Sequence, residues 1–191
     1  MTVQTPYDRY IEILFHWNTK IRLAGEKDPD VFRSVHLEEA RRVIPLLRGL
    51  GWQAVVDIGS GNGLMAVPLA VEFPSRTVIA LEPNRKKCIF LRQLKQNVPL
   101  PNLEVRMERL ETFQPPAAGS ALLWSARALE ISPDVLLAAL RRRPASVLLL
   151  FTSPQSPFHS LMRHDPPVLR VLESLPLSAD SHRMAVLAEI R

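Results

Sequence analysis

The chain has 191 residues, 47% hydrophobic and 23% charged, as expected for one soluble globular domain with room for a full core. Its longest strongly apolar run, Val147 to Phe151, falls far short of the ~20 residues that cross a bilayer, and MTVQTPYDRY lacks the basic-then-apolar order of a signal peptide. A single cysteine, Cys88, excludes an internal disulfide and a cysteine metal cluster and points to a reducing cytoplasm; a net charge of +5, with 19 arginines among 24 basic residues, is equally compatible with an RNA partner and with an ordinary basic surface.

Tyr7, Tyr10, Ile11, Leu14, Trp17 and Ile21 recur at helical spacing and predict an amphipathic helix over 7–23. Gly25 and Asp28-Pro29-Asp30 break it and cap a second helix over roughly 30–48, with Phe32, Val35, Ala40, Val43, Ile44 and Leu47 on one side. These two make a small helical cap, residues 1–50. From 51 to 191 strands and helices alternate: strands over 54–58, 77–81, 103–107, 121–124 and 146–151, helices over 64–72, 85–96 and 134–142, and a proline-rich loop over 114–119. The tail holds two more strand-like runs, 168–175 and 183–190, joined by Ser178-Ala179-Asp180-Ser181 as a hairpin at the sheet edge. The expected fold is α/β and Rossmann-like: a mostly parallel seven-stranded sheet with helices on both faces.

The chemistry begins at VVDIGSGNG, residues 55–63. The dinucleotide pattern G-x-G-x-x-G fails because Leu64 stands where the third glycine belongs, and no G-K-[ST] ending for a triphosphate loop exists. What remains is Asp57, Gly59, Ser60, Gly61 and Gly63, a bare turn led by a carboxylate. That order is poorly placed for a pyrophosphate and suits a ligand with an ammonium and a sulfonium, such as S-adenosylmethionine. Glu82 ends the second strand, where a carboxylate accepts both ribose hydroxyls. After the third strand comes Glu108-Arg109-Leu110-Glu111, where an adenine edge would meet backbone groups. The predicted cofactor set is therefore Asp57, Gly59, Ser60, Gly61, Gly63, Glu82, Arg109 and Leu110. No metal site is expected.

These segments resemble the bacterial 16S ribosomal RNA guanine-N7 methyltransferases, also called glucose-inhibited division protein B. The likeness runs through YIEILFHWNTKIRLAGEKDP, His36-Leu37, VVDIGSGNGLMAVPLAVEFP with Pro68, NRKKCIFLRQL and ERLETF. It implies a class I methyltransferase with an N-terminal helical cap, acting on 16S ribosomal RNA or the small ribosomal subunit, as a monomer. It further implies that Arg127, in WSARAL, is the catalytic arginine beside the transferred methyl and a substrate contact, and it makes His36 a candidate near the site mouth; Arg85 and Lys86, in a run of five positive charges on one helix, are RNA-binding candidates or part of a solvated face. The chain departs from the family in three places: no lysine follows the fifth strand in VLLLFTSPQSPFHS, Glu39 or Glu38 replaces an aspartate, and no basic stretch precedes the first helix.

The residues left other readings open. After the fourth strand Trp124-Ser125-Ala126-Arg127 is not the Asn/Asp-Pro-Pro-aromatic turn that serves exocyclic amines, and Cys88 lies on a helix away from the site, where a small buried hydrophobe is expected rather than a nucleophile. Guanine N7 has a free lone pair and needs no base. Arg127 holds a phosphate or a guanine edge, or else pairs with Glu130 in the interior. His36 stands at the site mouth or in the structure only; Arg141-Arg142-Arg143 is a phosphate clamp or a cationic helix end. The alternatives to an RNA enzyme are a methyltransferase for a small molecule or protein and a non-catalytic cofactor-binding module.

Overall fold

The structure is a computed structural model that describes residues 4–115, 121–142, 146–163, 169–177 and 182–191. Thr5 starts α1 (Pro6–Asn18): the Asp8 amide donates to the Thr5 hydroxyl, and the Thr5 amide donates to the Asp8 carboxylate. The helix stops before its apolar spacing does because Asn18 turns back. Its Oδ1 accepts from the Leu23 and Ala24 amides at 2.8 and 2.9 Å, so the chain folds over its own end.

The second helical stretch is a series of short pieces. Asp28 caps α2 (Pro29–Val31), which widens into a π-helical segment, Phe32–Leu37, and resumes as α3 (Glu38–Arg42). The Glu38 amide reaches the Arg33 carbonyl, five residues back, and with the wider turn Phe32 and Leu37 are both buried. Then α4 (Ile44–Arg48) starts afresh, since Pro45 has no amide hydrogen and fits only in a first turn.

Five parallel strands follow: β1 (Ala54–Ile58), β2 (Thr77–Leu81), β3 (Leu103–Arg106), β4 (Leu122–Ala126) and β5 (Val147–Thr152). Between them lie α5 (Ala66–Glu72), α6 (Arg85–Asn97) and α7 (Pro133–Leu140), and a 3-10 segment, Pro157–Arg163, follows β5. The tail strands β6 (Leu169–Pro176) and β7 (Met184–Ile190) form the expected antiparallel hairpin, with β7 inserted beside β5. The seven-stranded order is β3-β2-β1-β4-β5-β7-β6. The segment joining the hairpin strands lies outside the described residues, as does most of the proline-rich loop.

Alternation sorts the strands onto two faces. Val55, Val78, Ala80, Leu123, Leu149 and Leu187 meet the layer built from α1, α3, α4, α5 and α6. Val56, Ile79, Trp124, Leu148 and Val186 meet α7, the 3-10 segment and the buried pair Leu110 and Phe113. Pro68 is tolerated because it is the third residue of α5, in the first turn, where its missing amide hydrogen removes no bond between two residues of the helix itself. The chain winds outward in both directions from β1 and β4, and neighbouring strands that leave in opposite directions open a crevice at their carboxyl ends.

Candidate functional site: a cleft beside a glycine turn and two arginines on a buried glutamate

The turn after β1 is built to pass close under whatever lies in that crevice. Gly59, Gly61 and Gly63 all have positive φ, +64°, +55° and +81°, a region that L side chains rarely adopt. At Gly63 the need is also spatial: a Cβ there would stand 3.2 Å from Leu91 and from Val67. The Gly63 amide donates to the Ser60 carbonyl at 2.7 Å, and this tight turn explains why α5 starts two residues later than its sequence pattern suggests.

Glu82, buried at the end of β2, fastens the turn. Its Oε2 accepts the Gly61 amide at 2.9 Å and its Oε1 the Asn84 amide at 2.8 Å. Asn84 in turn caps α6, accepting the Lys86 and Lys87 amides. Cys88 is buried and donates to the Glu82 carbonyl at 3.0 Å, the packing role expected of it.

Asp57 sits on the helical face of β1, beneath the layer that contains α1. Burial is the main reason its pKa is raised to about 6, and the negative charge of Glu82 adds to the effect. The Ser60 and Ser125 hydroxyls and the Ala66 amide act in the opposite sense. Ser60 also closes the turn, its hydroxyl donating to the Asp57 carbonyl at 2.8 Å.

The cleft itself holds about 490 Å³, within the range of small-molecule sites. Of the predicted cofactor residues it is lined by Gly59, Glu82, Arg109 and Leu110; Asp57, Ser60, Gly61 and Gly63 form the turn beside it. Its far wall is Ala128 and Leu129. Ala128 has φ +49°, the one described non-glycine residue in that region, and nothing in the local sequence announces it. The third loop is braced from below: Arg142 donates to the Glu111 and Phe113 carbonyls at 2.8 and 3.2 Å. Arg142 is thus bonded to main chain, and Arg143 lies outside the described residues.

On the other side of β4, Arg127 does not pair with Glu130. Its Nη2 donates to Glu39 Oε2 at 2.9 Å, and its guanidinium stacks 5.0 Å from the Phe151 ring centre. Glu39 is only 3% exposed and also meets Arg183, which enters just before β7, at 2.6 Å. One buried carboxylate therefore holds two guanidiniums, and the group is net cationic. Arg127 Nη1 is buried with no hydrogen-bond partner among the described residues. Arg183 was not read from the sequence as a site residue, because only the antiparallel return of β7 beside β5 brings it here.

His36, on the π-helical segment, packs against Phe32 with ring centres 5.7 Å apart. Burial and the charge of Arg127 lower its pKa. Arg85 and Lys86 are exposed on the first turn of α6 and form no ion pair among the described residues, while Lys87 lines the cleft.

Residues 4–149 match the family model described as rRNA small subunit methyltransferase G. Proteins named ribosomal RNA small subunit methyltransferase G are similar: that of Stutzerimonas stutzeri is 42% identical over 111 residues, covering 57% of this chain and 50% of the relative. That of Pseudomonas syringae pv. syringae is 39% identical over 106 residues, covering 56% and 48%. The chain thus spans about half the length of the curated relatives it matches. Among solved structures, magnesium protoporphyrin IX methyltransferase from Synechocystis with bound S-adenosylmethionine aligns over 95% of this chain and 97% of its own, with TM-score 0.67 and 13% identity. An S-adenosylmethionine-dependent methyltransferase from Aquifex aeolicus aligns over 86% and 94%, with TM-score 0.62 and 17% identity. At such identities the likeness is one of fold.

Proposed function

The chain belongs to the rRNA small subunit methyltransferase G family of S-adenosylmethionine-dependent methyltransferases, and from that premise we propose that it methylates guanine N7 in 16S ribosomal RNA. The observation that carries the reading is the Glu82 carboxylate, buried at the end of β2 beside the switch strand β1 and tied to the glycine turn. The residues fit the cofactor. Each Glu82 oxygen accepts one main-chain amide, which leaves each a further lone pair for a ribose hydroxyl. The third loop offers the backbone around Leu110 to an adenine edge, and Asp57 offers a carboxylate to the ammonium of the methionine end.

S-adenosylmethionine supplies a methyl on a sulfonium; in-line displacement by the N7 lone pair leaves a neutral thioether and places the positive charge on the guanine. The protein therefore has no proton to remove, which agrees with the Ser125-Ala126-Arg127 sequence at the end of β4. What it must do is orient. Arg127, fixed by Glu39 and Phe151, keeps Nη1 for an acceptor, and guanine O6 or a phosphate fills that need once N7 is occupied by the reaction. His36 and the exposed Arg85 and Lys86 flank the approach of the RNA. The reading includes action as a monomer in the cytoplasm. A bulge between Val171 and Glu173, together with Pro176, blunts the outer edge of β6 against pairing with a second copy.

The test is incubation with small ribosomal subunits and with naked 16S RNA in the presence of S-adenosylmethionine, followed by nucleoside mass spectrometry. N7-methylguanosine is the expected product. Methylation of another position, or none, overturns the assignment.

A further inference from the structure

Tyr10 is completely buried on α1, and its hydroxyl donates to the Asn62 carbonyl at 3.1 Å. Asn62 stands between Gly61 and Gly63 at the tip of the turn. The two groups of the Asn62–Gly63 peptide are thus held from opposite sides: the carbonyl by Tyr10, the amide by the Ser60 carbonyl at 2.7 Å. This matters because the residue on the far side of that peptide is Gly63, at φ +81°, and a glycine offers little steric resistance to rotation of the plane. Without the phenol this half-buried carbonyl would lose its protein donor, and the plane would be less firmly held. Tyr10 is also placed between the two halves of the site. Its ring meets Phe32 edge-on, 6.2 Å between centres, on the same π-helical segment as His36, and it lies within electrostatic reach of both Asp57 and Arg127.

We propose that Tyr10 is a positioning residue for the cofactor turn, so that the N-terminal helix forms part of the S-adenosylmethionine site. The assignment rests on the cofactor reading above. It acts through main chain: Tyr10 orients the Asn62–Gly63 peptide, and that peptide sets the curve on which Gly61 offers its surface to the ligand.

The chain carries its own control. Tyr7, on the same helix, donates to Glu72 at 3.0 Å, a contact with α5 remote from the turn. Tyr10→Phe and Tyr7→Phe each remove one hydroxyl and keep the ring, so both variants are expected to fold. Calorimetry of the full chain with S-adenosylmethionine should show the dissociation constant rising about fivefold in Tyr10→Phe and unchanged in Tyr7→Phe. In the methylation assay KM for the cofactor should rise in Tyr10→Phe while KM for RNA stays put. Equal affinity in both variants and the unaltered chain overturns the assignment, as does an equal loss in both. Failure of the unaltered chain to bind S-adenosylmethionine overturns the cofactor reading and this inference with it.

Discussion

The donor and acceptor sides of the site are built by different means. The donor side is main chain: three glycines and one peptide tip, held by neighbours close in sequence, by Glu82 from the adjacent strand and by Tyr10 from α1. The acceptor side is side chain: Arg127 from just after β4 and Arg183 from just before β7 meet at the Glu39 carboxylate of α3, with 88 positions separating Glu39 and Arg127. The donor side is a main-chain conformation fastened from outside at two points, and the acceptor side is a junction of side chains. Damage to the first should therefore cost affinity, while damage to the second should cost the fold as well.

The sharpest way to break this contrast is Glu39→Ala. It leaves Arg127, whose side chain is 16% exposed, with no counter-charge and frees Arg183 from the α3 layer. Removing one member of a buried ion pair costs about 3 kcal/mol, since the remaining charge stays desolvated. Urea unfolding should register that loss, and methyl transfer should fall with it. A stability change below about 1 kcal/mol would mean that the junction is screened like a surface pair.

Glu82→Gln probes the donor side and should separate affinity from stability. The amide has nearly the same shape but turns one acceptor into a donor, which then faces the Gly61 or the Asn84 amide. With a ribose hydroxyl contact also lost, the dissociation constant for S-adenosylmethionine should rise about 30-fold, in line with hydrogen bonds to a charged group. Thermal unfolding without ligand should move far less than in Glu39→Ala. A variant that binds as tightly as the unaltered chain would remove Glu82 from the site.

The same contrast explains what could be read in advance. The strands β1 and β2, the glycine turn and Glu82 were legible because each is declared within a few residues: an apolar run, an acid, glycines at alternate positions, an acid again at the next strand end. The hairpin of β6 and β7 was legible too, from two apolar runs with a polar joint. The acceptor side was half legible. Arg127 was found through family likeness, but its partner was not Glu130, because the side chain leaves β4 toward the helical face where α3 packs. Tyr10, Arg183 and Ala128 carried no signal. A tyrosine in an apolar stripe reads as core, an arginine near the tail reads as surface, and an alanine gives no hint of a left-handed backbone. Boundaries failed where a side chain or wide turn outweighed periodicity, at Asn18 and at Phe32–Leu37.

A pH series sharpens the comparison most finely, because Asp57 lies on the donor side yet is buried like the acceptor junction. Its folded pKa of about 6 is above the ordinary value of 3.8, so the ligand-free fold holds that proton more tightly than the unfolded chain does. The stability contributed by this group is therefore present at acid pH and is lost as pH rises from 3.8 through about 6. Cofactor binding should run the other way. An ammonium favours the ionised carboxylate, and the ionised fraction rises about tenfold between pH 5 and pH 7, so affinity for S-adenosylmethionine should rise about tenfold over that interval with release of a proton. Calorimetry in buffers of different ionisation enthalpy reads both the affinity and the proton. Asp57→Asn should flatten the dependence and leave the weaker, acid-like affinity at every pH. If the slope persists in that variant, another group supplies it, and the ammonium is held elsewhere in the cleft.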